Sequence, residues 1–196
     1  MKITMIGAGA MGGTTVEGLL RCGAFSNSDI TVSDPSAAVL EKFSALGVTT
    51  TTDNTAATGH ADIVCVCVKP WLVEQVLTGI KAALAPSRQL LVVIAAGVSS
   101  ASIKGWLGRQ CPPLFLVIPN IAIAQLASMT FIVPVDAAPE QTKTISDIFN
   151  RMGHTLLTDE QHLAAGTTLA SCGIAYAMRY IRAASEGGVE LGFKAD

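Results

Sequence analysis

The sequence predicts an α/β fold: a doubly wound parallel sheet followed by a short, incomplete all-α segment. Two observations carry this expectation. Apolar runs of strand length alternate with helical segments over the first two-thirds of the chain, and repeated strand–helix–strand units pair in parallel through right-handed crossovers. Strand patterning stops near residue 158, and an Ala-rich helical stretch runs on to Ala184.

The elements follow in order. Lys2–Ile6 reads as a short apolar strand and Ala10–Cys22 as a helix ending near Gly23. Asp29–Ser33 is a second strand, Pro35–Leu46 a helix closed by Gly47, and Val48–Thr52 a third short strand. Ala61–Val68 is nearly continuous in Ile, Val and Cys, as expected of a strand covered on both faces. Trp71–Leu84 is helical, Gln89–Ala95 a strand and Ser100–Leu107 a helix, and Leu114–Ile118 and Met129–Val133 complete the strand set. Pro139–Met152 is the last helix of the sheet domain. Thr158-x-x-Gln161 fits a capping box that opens the helical segment. Residues 1–157 are therefore expected to form the first domain and residues 158–196 the start of a second.

Half of the 196 residues are hydrophobic and 14% are charged, enough apolar content for a substantial core. Thirteen Lys and Arg against fifteen Asp and Glu give a net charge of −2. With no basic run, nucleic acid and anionic membrane surfaces are poor partners. Mean hydropathy is +0.49, yet the longest apolar stretches, Ala61–Val68 and Leu90–Ala96, are too short to span a bilayer. Gly7 and Gly9 interrupt the N-terminal apolar run where a secretory leader needs a continuous one. The five cysteines (Cys22, Cys65, Cys67, Cys111 and Cys172) form no disulfide framework. Reduced thiols and a cytoplasmic location are the expectation. Cys65 and Cys67 share a strand-like apolar run, where cysteine acts as a small hydrophobe, so no metal site is expected.

The chemistry begins at Gly7-Ala8-Gly9-Ala10-Met11-Gly12, which leaves the first strand after Ile6 and opens the first helix. In that context G-x-G-x-x-G is the phosphate-binding turn of a Rossmann-type dinucleotide domain. Gly7 permits the tight turn, Gly9 has no Cβ to obstruct a pyrophosphate, and Gly12 lets the helix pack against the strand. The helix N-terminus then faces the phosphates. At the tip of the second strand, Ser33-Asp34-Pro35-Ser36 points two ways. The Asp34 carboxylate favours ribose hydroxyls, hence NAD, although it lies one residue past the usual place of that acid. Ser33 and Ser36 offer hydroxyls to a 2′-phosphate, with no arginine alongside. Three further turns, Val68-Lys69-Pro70, Ala95-Ala96-Gly97-Val98 and Ile118-Pro119-Asn120, end strands at the carboxyl edge, where ligands of such sheets bind.

In order and spacing these elements resemble the pyrroline-5-carboxylate reductases, the last enzymes of proline synthesis, from Lys2 to Gly192. The family's G-A-G-x-M matches at Gly7–Met11, its V-K-P at Val68–Pro70, its A-A-G-V at Ala95–Val98 and its M-P-N at Ile118–Asn120. Its S-G-S-G-P-A-Y is similar to Ala170–Tyr176, and its A-G-V-x-x-G-L to the stretch from Glu186 to Gly192. The resemblance implies reduction of the C=N bond of 1-pyrroline-5-carboxylate to proline, with NADP as cofactor and NAD as the alternative. It implies a homodimer or higher homo-oligomer joined through the helical domain. Implied cofactor contacts are Ile6 to Gly12, Ser33, Asp34, Asn54, Val68, Lys69, Pro70, Ala95, Ala96 and Gly97, and Asn120, Cys172 and Gly173 fall on the substrate side. Three departures stand out. Leu116 replaces an arginine ahead of M-P-N, Gly173 is the one glycine kept of G-S-G-P, and no S-P-G-G-T-T segment, the family's substrate-carboxylate site, occurs before Asp196. Truncation, or divergence with loss of that site, is the corresponding expectation.

No catalytic acid is assigned. His60, His154 and His162 are scattered and read as surface or helix-flank residues, and Lys69 is too weak an acid unless its pKa is lowered. Thr167, Trp71 and Trp106 read as packing residues, and Glu160 and Glu186 as residues of a helix start and a helix end. Two other readings retain the first motif: a related two-domain NAD(P)-dependent dehydrogenase, and a non-catalytic or truncated dinucleotide-binding protein.

Overall fold

The computed structural model of the chain describes residues 1–194; the last two residues of the expected 158–196 segment lie outside that range. Among the described residues, β1 (Ile3–Ile6), β2 (Ile30–Ser33), β3 (Thr49–Thr51), β4 (Ile63–Val66), β5 (Leu90–Val93), β6 (Leu114–Ile118), β7 (Ser128–Val135) and β8 (Gly153–Leu157) form one sheet. Its order is β3-β2-β1-β4-β5-β6-β7-β8. The reversal between β3-β2-β1 and β4 onward opens the crevice at the carboxyl ends of β1 and β4 where doubly wound sheets hold ligands.

Side chains alternate across this sheet with period two. Along β4, Ile63 and Cys65 enter one core and Val64 and Val66 the other. The first core takes Val16 and Leu19 from α1 (Ala10–Cys22), Phe43 from α2 (Ala37–Ser44) and Phe149 from α6 (Pro139–Asn150). The second takes Leu77 from α4 (Val73–Ile80) and Ile103 and Leu107 from α5 (Ser100–Leu107). Two covered faces explain why β4 and β5 carry unbroken apolar sequence. Burial pushes the Cys65 thiol well above its ordinary range and the Cys67 thiol up to about 12. Both stay protonated at neutral pH and serve as packing groups.

Two expectations about the sheet are corrected. The sheet is parallel except at β6 and β7, which pair antiparallel with Ile118 opposite Phe131. The cause is length: the link between Ile118 and Ser128 is too short for a crossover helix, which takes a dozen or more residues. It forms instead a 3-10 turn (Ile121–Gln125) closed by Leu126 in the left-handed conformation. Second, β8 extends the sheet past the last predicted strand, parallel to β7. Its sequence, Gly-His-Thr-Leu-Leu, alternates weakly because the strand is an edge and largely exposed. Gly153 enters it at φ +144, and a Cβ there would lie 2.1 Å from the Ser128 carbonyl oxygen. Between β3 and β4, where no element is predicted from the sequence, lies α3 (Asn54–Gly59), capped by Asp53, whose carboxylate accepts the Thr55 and Ala56 amides at 2.8 and 3.1 Å.

Beyond the sheet, α7 (Glu160–Gly166), a π-helical turn (Thr167–Cys172) and α8 (Gly173–Glu190) follow one another without a break. The N-cap of α7 is Asp159, which accepts the His162 amide at 3.0 Å, rather than Thr158. Glu160 fastens this helix to the sheet domain by accepting from the Ser100 amide (2.9 Å) and hydroxyl at the start of α5. Trp106 packs against the second core as expected. Trp71 does not, and stands 76% exposed in the turn before α4.

Gly18 sets how closely α1 approaches the β6–β7 turn, since a Cβ would fall 2.6 Å from the Ile123 carbonyl oxygen and 3.0 Å from Met152 Sδ. Gly18→Ala is expected to cost about 1–3 kcal/mol through overpacking. Urea unfolding should show a lower midpoint at unchanged slope. An unchanged midpoint would mean that this contact is absent in solution.

Candidate functional site

A cleft of about 950 Å³ runs along the carboxyl edge of β1, β2 and β4. Its floor is the turn between β1 and α1. Gly7 adopts φ +88 there, and its amide donates to the Ser33 carbonyl at 2.8 Å, locking the turn to β2. The glycines of this turn serve different ends. A Cβ on Gly7 would lie 2.4 Å from the Cys67 carbonyl oxygen, and one on Gly12 would lie 2.0 Å from the Gly7 carbonyl oxygen. Both are demanded by the fold. A Cβ on Gly9 would meet nothing within 4 Å, and Gly9 faces the cleft with ordinary backbone angles of φ −63 and ψ −159. The chain's own packing therefore makes no demand for glycine at position 9, and the room a Cβ would take is open to a ligand.

The α1 hydrogen-bond ladder begins with Gly13 donating to the Gly9 carbonyl at 2.7 Å. The amides of Ala10, Met11 and Gly12 ahead of it have no partner inside the helix, which makes this end of the cleft anion-seeking. At the β2 end, Asp34 accepts from the Ala8 amide (2.8 Å) and the Ser36 amide (2.9 Å). Ser33 is fully buried and donates to Asn54 Oδ1 at 2.6 Å, which brings Asn54, at the start of α3, against the strand tip. Val68 and Lys69 close the cleft on the β4 side.

Of the sequence-predicted residues, Ile6, Gly7, Gly9, Ala10, Met11, Gly12, Ser33, Asp34, Asn54, Val68 and Lys69 line this cleft together. Ala8 does not line it, but its backbone amide donates a hydrogen bond to Asp34, which does. Pro70 instead opens the 3-10 turn that leads into α4, and Ala95 is buried beside the second core. Ala96 and Gly97 line a second, smaller cavity of about 350 Å³, with Val98, Ile118, Leu163 and Thr167. Asn120 lines neither cavity. It is buried, its Nδ2 donates to the Ala170 carbonyl (3.0 Å) in the π-helical turn, and its Oδ1 accepts the Ala122 amide (3.0 Å). Cys172, the last residue of that turn, and Gly173, the first of α8, line neither cavity.

Sequence reasoning missed one wall of the main cleft: Thr52, Asp53 and Thr55 before and within α3, Leu72 just ahead of α4, and Gln75, Val76 and Gly79 along α4. The Asp53 cap was a usable signal for α3. On α4, apolar residues that face the cleft follow the same helical spacing as those that face the core, so spacing could not separate them. It also missed Glu160, Leu163 and Ala164, which bring α7 over the second cavity. There the Thr167 hydroxyl donates to the Leu163 carbonyl at 2.8 Å and Glu160 is held by Ser100, so both polar groups are already committed.

Comparison with known proteins agrees with this arrangement. Residues 2–97, which contain most of the cleft, match the family model described as "NADP oxidoreductase coenzyme F420-dependent". The chain is 32% identical to a pyrroline-5-carboxylate reductase of Methanosarcina acetivorans, covering 96% of this chain and 70% of that one. It is 29% identical to pyrroline-5-carboxylate reductase 1 of Dictyostelium discoideum over 99% of this chain, but spans only 37% of that relative's length. In structure it is similar to a pyrroline-5-carboxylate reductase from Coxiella burnetii, with a TM-score of 0.90 at 27% identity, covering 99% of this chain and 72% of that one. With a doubly wound sheet, a glycine turn that leaves Gly9 free of internal demands, and a relative above 30% identity along nearly the whole of this chain, the chain belongs to the pyrroline-5-carboxylate reductase family.

Proposed function

We propose that the chain binds NAD(P)H in the main cleft and reduces the C=N bond of 1-pyrroline-5-carboxylate to give proline. The observation that carries the cofactor half is Gly9, a glycine without an internal reason, set at the mouth of an α-helix. Family membership carries the substrate half.

The residues fit the group. When bound, NAD(P)H supplies the hydride. The free amides of Ala10, Met11 and Gly12 would hold the pyrophosphate, and the bare backbone of Gly9 would let it approach. Asp34 and the Ser33–Asn54 pair would hold the ribose end, and the apolar wall of Leu72, Val76 and Ile80 would take the flat base. Val68 and Lys69 shape the turn on the β4 side. Ala96 and Gly97 leave a low wall toward the second cavity, where a small substrate would meet α7. Asn120 acts at one remove, by tying the π-helical turn to the end of β6.

The protein's work in this reading is orientation and electrostatics. A cyclic imine that is protonated in solution accepts hydride at carbon and becomes a secondary amine with no further proton. Glu160 and Thr167 are already bonded within the protein, which agrees with a reaction that calls on neither as an acid. The helical segment supports self-association: Tyr176, Tyr180 and Ile181 of α8 are 70%, 76% and 57% exposed, an apolar surface of the kind that marks interfaces. Residues 1–157 then form the cofactor domain, and residues from 158 onward the part that meets a second copy. Five free cysteines agree with a cytoplasmic setting. Among the described residues, no helix is long and apolar enough to cross a membrane.

Three outcomes are expected. NADPH or NADH absorbance should fall when 1-pyrroline-5-carboxylate is added, with proline formed in equal amount; bound cofactor with no proline would favour the non-catalytic reading. Gly9→Ala should weaken dinucleotide binding by about tenfold or more, while unfolding stability stays within about 0.5 kcal/mol of wild type. Equal loss of stability would mean that Gly9 serves the fold after all. Light scattering should give a mass of at least twice 20.3 kDa, and a monomer at micromolar concentration would remove the α8 interface.

A further inference from the structure

We infer that Asp34 makes this chain select NADH over NADPH. The inference rests on reading the main cleft as a pyridine-dinucleotide site, and it runs against the "NADP" in the description of the matching family model.

The carboxylate is held in place from both sides. Its Oδ2 accepts from the Ala8 amide at 2.8 Å and its Oδ1 from the Ser36 amide at 2.9 Å. It therefore bridges the phosphate-binding turn and the approach to α2, and it lines the cleft. Each oxygen keeps a second lone pair. Two vicinal ribose hydroxyls would find acceptors there. A 2′-phosphate would bring acceptor oxygens and a charge of about −1.5 to −2, with nothing to donate and a like charge to meet.

The surroundings do not offset that charge. A 2′-phosphate is ordinarily met by an arginine or another cation. Among the described residues that line the cleft, Lys69 is the one basic side chain, and it follows β4. In the sheet order β2-β1-β4 it is two strands from Asp34, about 10 Å away at ordinary strand spacing. Lys42 on α2 is paired with Glu17. The Ser33 hydroxyl, one of the two donors suggested by the sequence, is spent on Asn54. The other, Ser36, accepts the Val39 amide at 3.5 Å as the cap of α2 and retains its proton. That hydroxyl and the first-turn amides of α2 are neutral donors, and a phosphate using them would still lie beside Asp34.

Titration of wild-type protein with NADH and with NADPH, followed by nicotinamide fluorescence at matched ionic strength, tests this directly. NADH is expected to bind about tenfold tighter or better. Raising the salt should narrow that ratio by screening the like charges, and Asp34→Asn should bring it close to unity. Because Asp34 anchors the turn, the thermal unfolding of the variant is measured alongside, and the wild-type ratio and its salt dependence stand even if the variant fails to fold. NADPH binding as tightly as NADH, or a ratio insensitive to salt, would overturn the selectivity while leaving the cofactor reading intact. Binding of neither would remove both.

Discussion

The turn from β1 into α1 folds so tightly on itself and on the end of β4 that two of its residues can have no side chain. Gly12 sits over the Gly7 carbonyl and Gly7 over the Cys67 carbonyl, with 2.0 and 2.4 Å left for a Cβ. Everything useful about the cleft follows from that approach. It aims the first amides of α1 along the sheet edge, and it places β2 where the Ser33 carbonyl takes the Gly7 amide. It also brings the Asp34 carboxylate within reach of Ala8. A methyl group at either glycine would lift the helix from the strand and dismantle the anion-seeking end before any ligand arrived.

The opposite half of the sheet answers to a different constraint. The link after β6 is too short to cross over, so β7 turns back antiparallel and β8 follows it through α6. This extends the sheet under the helical segment. Phe131 of β7 lies against Gly166, where a Cβ would fall 2.8 Å from the ring. Glu160 and Asn120 add polar ties from α5 and from the end of β6. The second cavity exists because these contacts hold α7 over Ala96 and Gly97. Residues far from the β1–α1 turn thus shape that cavity.

Much of the fold was legible. Predicted strands from Lys2 to Ile118 each contain an observed one, most plainly at β4, β5 and β6, because fully buried strands carry unbroken apolar runs with turn residues at both ends. What escaped was weakly patterned. The edge strand β8 is exposed and half polar, and α3 is six residues of Asn, Thr, Ala and Gly whose clearest signal is the Asp53 cap. Of the site, the motif-bearing turns were legible because glycine and proline spacing reflects backbone geometry. The α3 and α4 wall was not, since Leu72 and Val76 carry no mark of which way they face.

The sequence by itself determined the alternating α/β pattern, the glycine turn at its head and the family to which the motifs are similar. Each of these depends on local backbone preference and on the periodicity of apolar residues, which neighbours in sequence carry. Tertiary structure decided the roles. It separated Gly9 from Gly7 and Gly12 by what surrounds each, and spent Ser33 on Asn54. It bonded Asn120, expected on the substrate side, to the Ala170 carbonyl of the π-helical turn. It also set Asp34 between two backbone amides. These are distances across space between residues distant in sequence, and no spacing along the chain encodes them.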